Sequence, residues 1–207
     1  LLGRRKNLLI NAYGVRSTRE GAANGLSYGA SIEYPNDIVE LDVISRTVER
    51  DFDPALGFVA RRNVRLLRIG GRYNPRPRNF LDIQQMYHGV IYNRFSRVDT
   101  GEVESSNIFI IIPDWHFNSG ASLHALLTPD IVYVRLFAPF EISPGVILPP
   151  GEYRFTRWSN NVATAGKRRL QARIQWLFGT FWSGHADEWQ TSGTYKLPPH
   201  FTLSVAV

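Results

Sequence analysis

The sequence predicts an all-β protein with antiparallel meander topology, and three observations support this class. Apolar and polar residues alternate in most segments, a period of two that matches the alternation of side chains along a β-strand. Gly, Pro, Asn and Asp separate these segments at short intervals, as they do in turns. No segment shows the 3.6-residue apolar period of an amphipathic helix. About a dozen strands with short connections favour antiparallel pairing over βαβ units.

The alternation is clearest over residues 169–178. The apolar residues of this segment share one parity: Leu170, Ala172, Ile174, Trp176 and Phe178. The polar residues share the other: Arg169, Gln171, Arg173 and Gln175. A helix would distribute both kinds around its whole circumference, so we expect a strand with one apolar face and one cationic, amide-rich face.

The remaining strands are expected in a regular order along the chain. Alternating segments cover residues 26–34, 39–43, 81–87, 153–156, 189–197 and 201–207. Turn residues predict breaks at 35–37, 70–71, 74–75, 118–120, 128–130, 143–145, 149–151 and 198–199. The densest apolar run, 108–112, is expected to end at Pro113, far short of the ~20 residues that a membrane-spanning helix needs.

Composition excludes several classes of protein. The 207 residues are 43% hydrophobic and 20% charged, which is too apolar for a disordered chain. There is no Cys, so a disulfide or thiolate metal site cannot form. The net charge of +6 is spread along the chain without a basic cluster, so we do not expect nucleic-acid binding. The chain starts at Leu1 without Met or a signal peptide and ends at Val207 within an alternating segment, so both ends are expected to be cuts through a longer protein. Residues 1–207 are expected to form a single β-barrel domain or part of one.

Two architectures fit this pattern. In a soluble sandwich the apolar face would form the core, whereas in a membrane barrel it would contact lipid while the polar face lines a lumen. The Arg- and Gln-rich polar parities favour the barrel, and so do aromatic residues near predicted strand ends: Tyr34, Trp158, Phe181, Trp182 and Trp189. Against it, arginines occupy both parities over 61–65, so one would face lipid unless that strand bulges or projects beyond the bilayer. The sequence predicts an outer-membrane-type barrel, and the soluble β domain remains the alternative.

Several ordered motifs resemble one known family. Residues 51–62 resemble an F-N-P-x-x-G-F-V-x-R signature, residues 138–155 resemble pF-x-I followed by I-P-x-G-x-Y-x-F, and residues 168–184 resemble R-R-L followed by G-x-F-Y-x-G. In this order they resemble a bacterial domain family of unknown function, a β-barrel-like domain usually found C-terminal to a family-nine-like carbohydrate-binding domain. The resemblance covers roughly residues 36–207 and departs at Asp53, where the family favours Asn, and at Trp182, where it favours Tyr.

This resemblance implies a bacterial outer-membrane barrel but no established activity. It implies contact with glycans only through an N-terminal domain that is not in this chain. The motif residues expected to be structural are Phe52, Pro54, Gly57, Phe58, Pro149, Gly151, Tyr153, Gly179 and Gly184. Pro54 and Gly57 are expected to reverse the chain, and Phe58 is expected to anchor the next strand in an apolar layer.

The sequence offers little sign of catalysis, and no catalytic residue, metal ligand or cofactor is predicted. The five His residues form no H-E-x-x-H pair, and residues 114–116 are expected in a loop. Residues 183–187 contain Ser, His and Asp, but in an extended chain these would lie too far apart for a triad. An enzymatic role is therefore the less favoured one.

Four arginines are candidates for a lumen wall that attracts anions: Arg61, Arg65, Arg169 and Arg173. Two other roles remain open for them, namely pairing with Glu and Asp on neighbouring strands or binding lipopolysaccharide phosphates. We expect a bacterial outer-membrane barrel with a transport or scaffold role, whose partners are outer-membrane lipid or lipopolysaccharide. The alternative is a soluble β-rich binding module or an accessory domain of a carbohydrate-active protein.

Overall fold

The computed structural model describes residues 7–18, 21, 23–54, 57–199 and 201–206. These residues form thirteen strands: β1 (Leu9–Ser17), β2 (Gly25–Tyr34), β3 (Val39–Val48), β4 (Val64–Tyr73), β5 (Ile83–Arg97), β6 (Val103–Phe117), β7 (Ser122–Leu136), β8 (Phe140–Ser143), β9 (Val146–Leu148), β10 (Gly151–Ala163), β11 (Leu170–Phe181), β12 (Gly184–Leu197) and β13 (Phe201–Ala206). Within these ranges no helix is long and apolar enough to cross a membrane.

Eleven of these strands form one sheet in the order β1-β2-β3-β4-β5-β6-β7-β10-β11-β12-β13. Neighbours in the sheet are neighbours along the chain except at β7 and β10, between which β8 and β9 form a separate two-stranded hairpin. The chain is therefore an all-β antiparallel meander, which confirms the predicted class and topology.

The described residues fall into two compact units, each made of three stretches of chain. Unit 1 comprises Leu1–Gly71, Ile91–Asn107 and Val132–Arg154. Its β1 and β2 pair from Leu9 opposite Glu33 to Ser17 opposite Gly25, and β2 pairs with β3 from Ser27 opposite Val48 to Tyr34 opposite Leu41. The buried apolar side chains of unit 1 are Phe52, Val64, Ile91 and Leu148.

Unit 2 comprises Arg72–Val90, Ile108–Ile131 and Phe155–Val207. Here β10, β11, β12 and β13 pair in succession, and the β11–β12 hairpin is in register from Leu170 opposite Tyr195 to Phe181 opposite Gly184. The predicted strand over 169–178 is confirmed, since β11 starts at Leu170. The buried apolar side chains of unit 2 are Ile83, Ile111, Phe155 and Ala165.

Three predicted breaks are wrong because the strands continue through them. Gly70 and Gly71 lie inside β4. A Cβ at Gly70 would lie 2.1 Å from the Asp42 carboxylate, so this glycine permits a close approach between side chain and backbone and does not make a turn. Residues 128–130 lie inside β7, where Thr128 is fully buried. Pro113 lies inside β6, which continues to Phe117.

Candidate functional site: the two faces of the sheet

Side-chain burial in β2 is the reverse of what a soluble sandwich requires. The apolar residues Leu26, Tyr28 and Ile32 are 43%, 44% and 52% exposed, whereas Ser27 on the opposite face is only 6% exposed. In β3 and β11 the carboxylates and amides are likewise half-buried while the aliphatic residues beside them are exposed. A soluble sandwich buries the apolar face of its strands, whereas these strands expose that face.

The exposed apolar residues form continuous rows across neighbouring strands. In unit 1, Ile10 pairs with Ile32 and Ile32 with Val43. In unit 2, Leu170 pairs with Tyr195 and Tyr195 with Leu203; these three are 65%, 42% and 60% exposed. Contiguous exposed apolar surface of this kind marks contact with a membrane or a partner.

The opposite face of unit 1 is polar and internally hydrogen-bonded. Arg68 Nε donates to Asp42 Oδ2 at 2.8 Å. Ser31 Oγ donates to Glu33 Oε1 at 2.8 Å, and the hydroxyls of Tyr13 and Ser27 lie 3.3 Å apart. Both hydroxyl–carboxylate and guanidinium–carboxylate contacts satisfy groups that would otherwise be costly to bury. In this part of the face, charges and hydroxyls are therefore paired with one another.

The polar face of unit 2 is richer in amides and arginine. Arg157, with a side chain only 12% exposed, donates to Glu188 Oε1 at 2.6 Å. Arg173 Nε donates to the amide oxygen of Asn161 at 3.1 Å, so its partner does not neutralise its charge. A cavity of about 570 Å³ lies beside it, lined by Arg173, Gln175, Gln190, Thr191, Ser192 and Ala206. This wall offers donors and acceptors to water or a polar solute and retains a positive charge at Arg173.

A row of stacked aromatic rings crosses the apolar face of unit 2. The ring centroids of Trp158 and Phe178 are 6.4 Å apart. Those of Phe178 and Trp176 are 4.1 Å apart, and those of Trp176 and Trp189 are 4.8 Å apart. The interplanar angles are 17°, 20° and 10°. The indole N–H of Trp176 donates to Asp187 Oδ1 at 3.2 Å. The row thus combines a broad apolar surface with a polar edge on the side of the β11–β12 turn.

The sequence does not predict one polar cluster, because it places residues 114–116 in a loop. They lie in β6, where Asp114 Oδ2 is 3.0 Å from His124 Nδ1 and Asp114 Oδ1 is 3.2 Å from His116 Nε2, the latter without hydrogen-bond geometry. The ring of Tyr87 packs edge-on against His116 at 5.0 Å. Asp114 and His116 alternate as they would in a strand, but Pro113 just before them predicts that the strand has ended. The described residues contain no group of three His, Cys, Asp or Glu side chains placed to hold a metal ion.

The four candidate arginines occupy different surroundings. Arg61 precedes β4 and Arg65 lies within it, so these two arginines do not share a strand. Alternation also puts Arg65 on the face of β4 opposite Val64 and Leu66. Arg169 immediately precedes β11, and its carbonyl accepts the backbone N–H of Lys196. Arg173 is in β11 on the amide-rich face. Of the four arginines, it fits the predicted position on a polar wall best.

The motif residues are mainly structural, with one correction. Phe58 is 93% exposed and lies before β4, so the expected apolar anchor is wrong; Phe52, only 7% exposed, is the buried ring of this segment. The Gly57 N–H donates to the Pro54 carbonyl at 3.4 Å, while residues 55 and 56 lie outside the described residues. Tyr153 donates its hydroxyl to the Pro149 carbonyl at 2.8 Å, next to Gly151, the first residue of β10.

Two glycines of the last motif differ in what they require. Gly179 has a φ of +128°, and a Cβ there would lie 2.3 Å from the Thr156 carbonyl oxygen, so the position demands glycine. Gly184 begins β12, and the nearest atom to its added Cβ is at 3.9 Å. Nearby, Ser183 lies in the turn while His185 and Asp187 share one parity of β12, and Asp187 is engaged by Trp176.

The β5–β6 turn holds the strongest electrostatic cluster of unit 1. Arg97 donates to both carboxylate oxygens of Asp99, at 3.0 and 2.9 Å, and Arg50 contacts the same carboxylate. The hydrogen bonds from Arg97 hold the pKa of Asp99 well below its usual range. This turn is thus fixed by charge pairing.

Comparison with protein-family models, curated proteins and solved structures finds no match for this chain. The motif resemblance therefore remains a prediction, and function has to be inferred from the two faces of the sheet.

Proposed function

We propose that this chain is an outer-membrane-type β-barrel, or part of one, whose apolar face contacts lipid and whose polar face lines a lumen. Its role would be transport or scaffolding in the bacterial outer membrane, with lipid or lipopolysaccharide as its partner. The observation that carries the proposal is the reversed burial of Ser27 against Leu26, Tyr28 and Ile32, repeated in β3 and β11. A membrane barrel has apolar residues outward and polar residues inward.

Strand length supports the same proposal. A tilted transmembrane strand needs about 9–11 residues. Each sheet strand except β13 has at least 9 described residues, and β5, β6 and β7 have 15 each. Strands in globular proteins are most often about 5–6 residues long. Strands of 15 residues are long enough to cross a bilayer and to project beyond it.

The aromatic row supplies a boundary for the lipid-facing band. Trp and Tyr concentrate where a barrel meets the headgroups, because their rings are apolar and their edges polar. The row from Trp158 to Trp189 lies between the β11–β12 turn and the exposed aliphatic residues Leu170 and Ile174. We assign it to one interfacial girdle.

On the lumen side we assign the anion-attracting role to Arg173. Arg157 is neutralised by Glu188 and Arg68 by Asp42, whereas Arg173 is held by an amide. A cation on a confined polar wall favours anions. The resemblance to the outer-membrane family points to the same architecture, and glycans would be reached only through a separate domain.

Depth-resolved tryptophan quenching tests the lipid contact. A variant that retains only Trp189 is refolded into vesicles containing brominated phospholipid, and the matched control carries its single tryptophan at the next residue through Gln190→Trp. We expect strong quenching of Trp189, which is 59% exposed on the apolar face, and weak quenching at 190 on the polar face. Equal quenching at both positions, or a protein that stays folded in buffer without detergent, would favour the soluble binding module.

A further inference from the structure

Unit 1 contains a cavity that the proposed barrel does not require. Its volume is about 580 Å³, within the range of small-molecule sites. The cavity lies on the polar face, since Ser27 and Arg46 line it, yet most of its wall is apolar. The apolar wall includes Val48, Phe52, Val64, Leu66 and Phe95. An apolar cavity on an otherwise polar face has a composition suited to an organic ligand.

Two arginines give this cavity a positive charge. Arg61 lies over the Phe95 ring at 4.6 Å and donates to the Ser105 hydroxyl at 3.3 Å, which leaves its charge unneutralised. Arg46 has no carboxylate partner among the described residues. Other arginines of unit 1 do have one, for example Arg68 with Asp42. The cavity therefore offers two unneutralised cations beside an apolar wall.

The segment over residues 49–53, which carries the wall residue Phe52, is anchored in place. The Asp53 N–H donates to Ser17 Oγ at 2.9 Å, and the Glu49 N–H donates to the Leu26 carbonyl at 2.9 Å. A Cβ at Gly25 would lie 2.1 Å from the Phe52 nitrogen, so only glycine lets this segment approach β2 so closely. These contacts hold the Phe52 side of the wall in its position without a ligand, which lowers the ordering cost of binding.

Phe58 completes the wall in an unusual way. Phe58 is one of the residues that line the cavity and is nevertheless 93% exposed. A fully exposed aromatic ring at the edge of an apolar cavity gains most if a ligand covers it, because burial removes its apolar surface from water. The motif over residues 51–62 thus contributes both a buried ring and an exposed ring to one site.

We propose that this cavity binds an organic anion with an apolar or aromatic body, such as an aryl-alkyl carboxylate. The apolar wall and Phe58 would take the body, and Arg46 and Arg61 would take the carboxylate through charge-assisted hydrogen bonds. A polyhydroxylated sugar fits less well, because such a ligand needs a wall of donors and acceptors. This inference does not rest on lipid contact, since the cavity lies within unit 1 and on the face opposite that unit's exposed apolar row.

Calorimetric titration with phenylbutyrate, and with the uncharged phenylbutyramide as comparator, tests the proposal on the full chain in detergent. We expect saturable one-to-one binding of the carboxylate and binding of the amide weaker by about tenfold or more, because the amide loses the charge-assisted bonds. In Arg46→Gln/Arg61→Gln the two ligands should bind alike. Arg65→Gln is the matched control, since Arg65 lies on the face of β4 opposite the cavity residues Val64 and Leu66, and it should keep the tenfold preference.

The comparison of the two ligands on the unaltered protein needs no variant, so a folding defect in the double variant cannot obscure the answer. Absence of saturable carboxylate binding, or equal affinity for carboxylate and amide, would overturn the proposal. So would a preference that persists in a folded double variant. Each of these results is independent of tryptophan quenching by brominated lipid, so failure of the cavity proposal and failure of the barrel proposal are distinguishable.

Discussion

Replacing Ile174 with arginine separates lipid contact from water contact at a single position. Ile174 is 50% exposed and lies between Val162 and Thr191 on the apolar face of unit 2. If that face meets lipid, an arginine two residues from the girdle ring of Trp176 costs more than the roughly 0–1 kcal/mol of an interfacial position and less than the roughly 2–4 kcal/mol of the bilayer midplane. If it meets water, an exposed substitution changes stability by only about 0.5 kcal/mol. Lipid contact and water contact therefore predict different losses of unfolding free energy for this substitution.

The matched control is Gln175→Arg, one residue along the same strand. Gln175 lies on the polar face between Asn161 and Gln190, and a lumen wall tolerates polar exchange. Reversible urea unfolding in vesicles, followed by the gel mobility of the folded barrel, gives both free energies. We expect Ile174→Arg to be destabilised by at least about 1 kcal/mol relative to Gln175→Arg. Equal stabilities would refute the assignment of the faces.

Three further predictions follow from single contacts. Gly179→Ala should lose about 1–3 kcal/mol or more in urea unfolding, because a positive φ and the Thr156 carbonyl oppose a Cβ; Gly184→Ala, with open space, should lose less. The lowered pKa of Asp99 stabilises the fold fully at pH values above its ordinary pKa, and this contribution is lost progressively as the pH falls from about 4 towards the lowered pKa. The thermal midpoint of Asp99→Asn should therefore depend less on acid pH than that of the unaltered chain. Arg169→Gln/Arg173→Gln should reduce anion preference in single-channel recordings with little loss of stability; a lower melting temperature with unchanged selectivity would instead show that these arginines act as structural links.

The period of two was sufficient to predict the strands whose faces differ in polarity. Residues 169–178 were correctly assigned because every second residue is apolar, and the same holds for β2 and β13. Turn residues predict breaks wrongly where such a residue has another structural role inside a strand. The sequence predicts a break at Gly70, but this glycine makes room for the Asp42 side chain beside it, a contact between two strands that no local pattern contains.

The candidate site was less predictable than the fold, because it depends on pairing across strands. Arg157 and Arg173 look alike in sequence, yet the register places Glu188 beside the first and Asn161 beside the second. The same limit applies to Phe58, which was expected to anchor a strand but is exposed beside a cavity. Which of these aromatic residues is buried depends on contacts with distant strands, such as the approach of Phe52 to Gly25, and alternation does not encode this.

The most direct test of lipid contact is a nitroxide scan along β11 in bilayers, with one spin label at a time from residue 170 to residue 178. Collision rates with oxygen, which concentrates in lipid, and with a water-soluble nickel complex are measured at each position. The proposed barrel predicts alternation with a period of two, in which the even-numbered positions are accessible to oxygen and the odd-numbered positions to nickel. High nickel accessibility at 170, 172 and 174, or no alternation at all, would contradict the assignment of the apolar face to lipid.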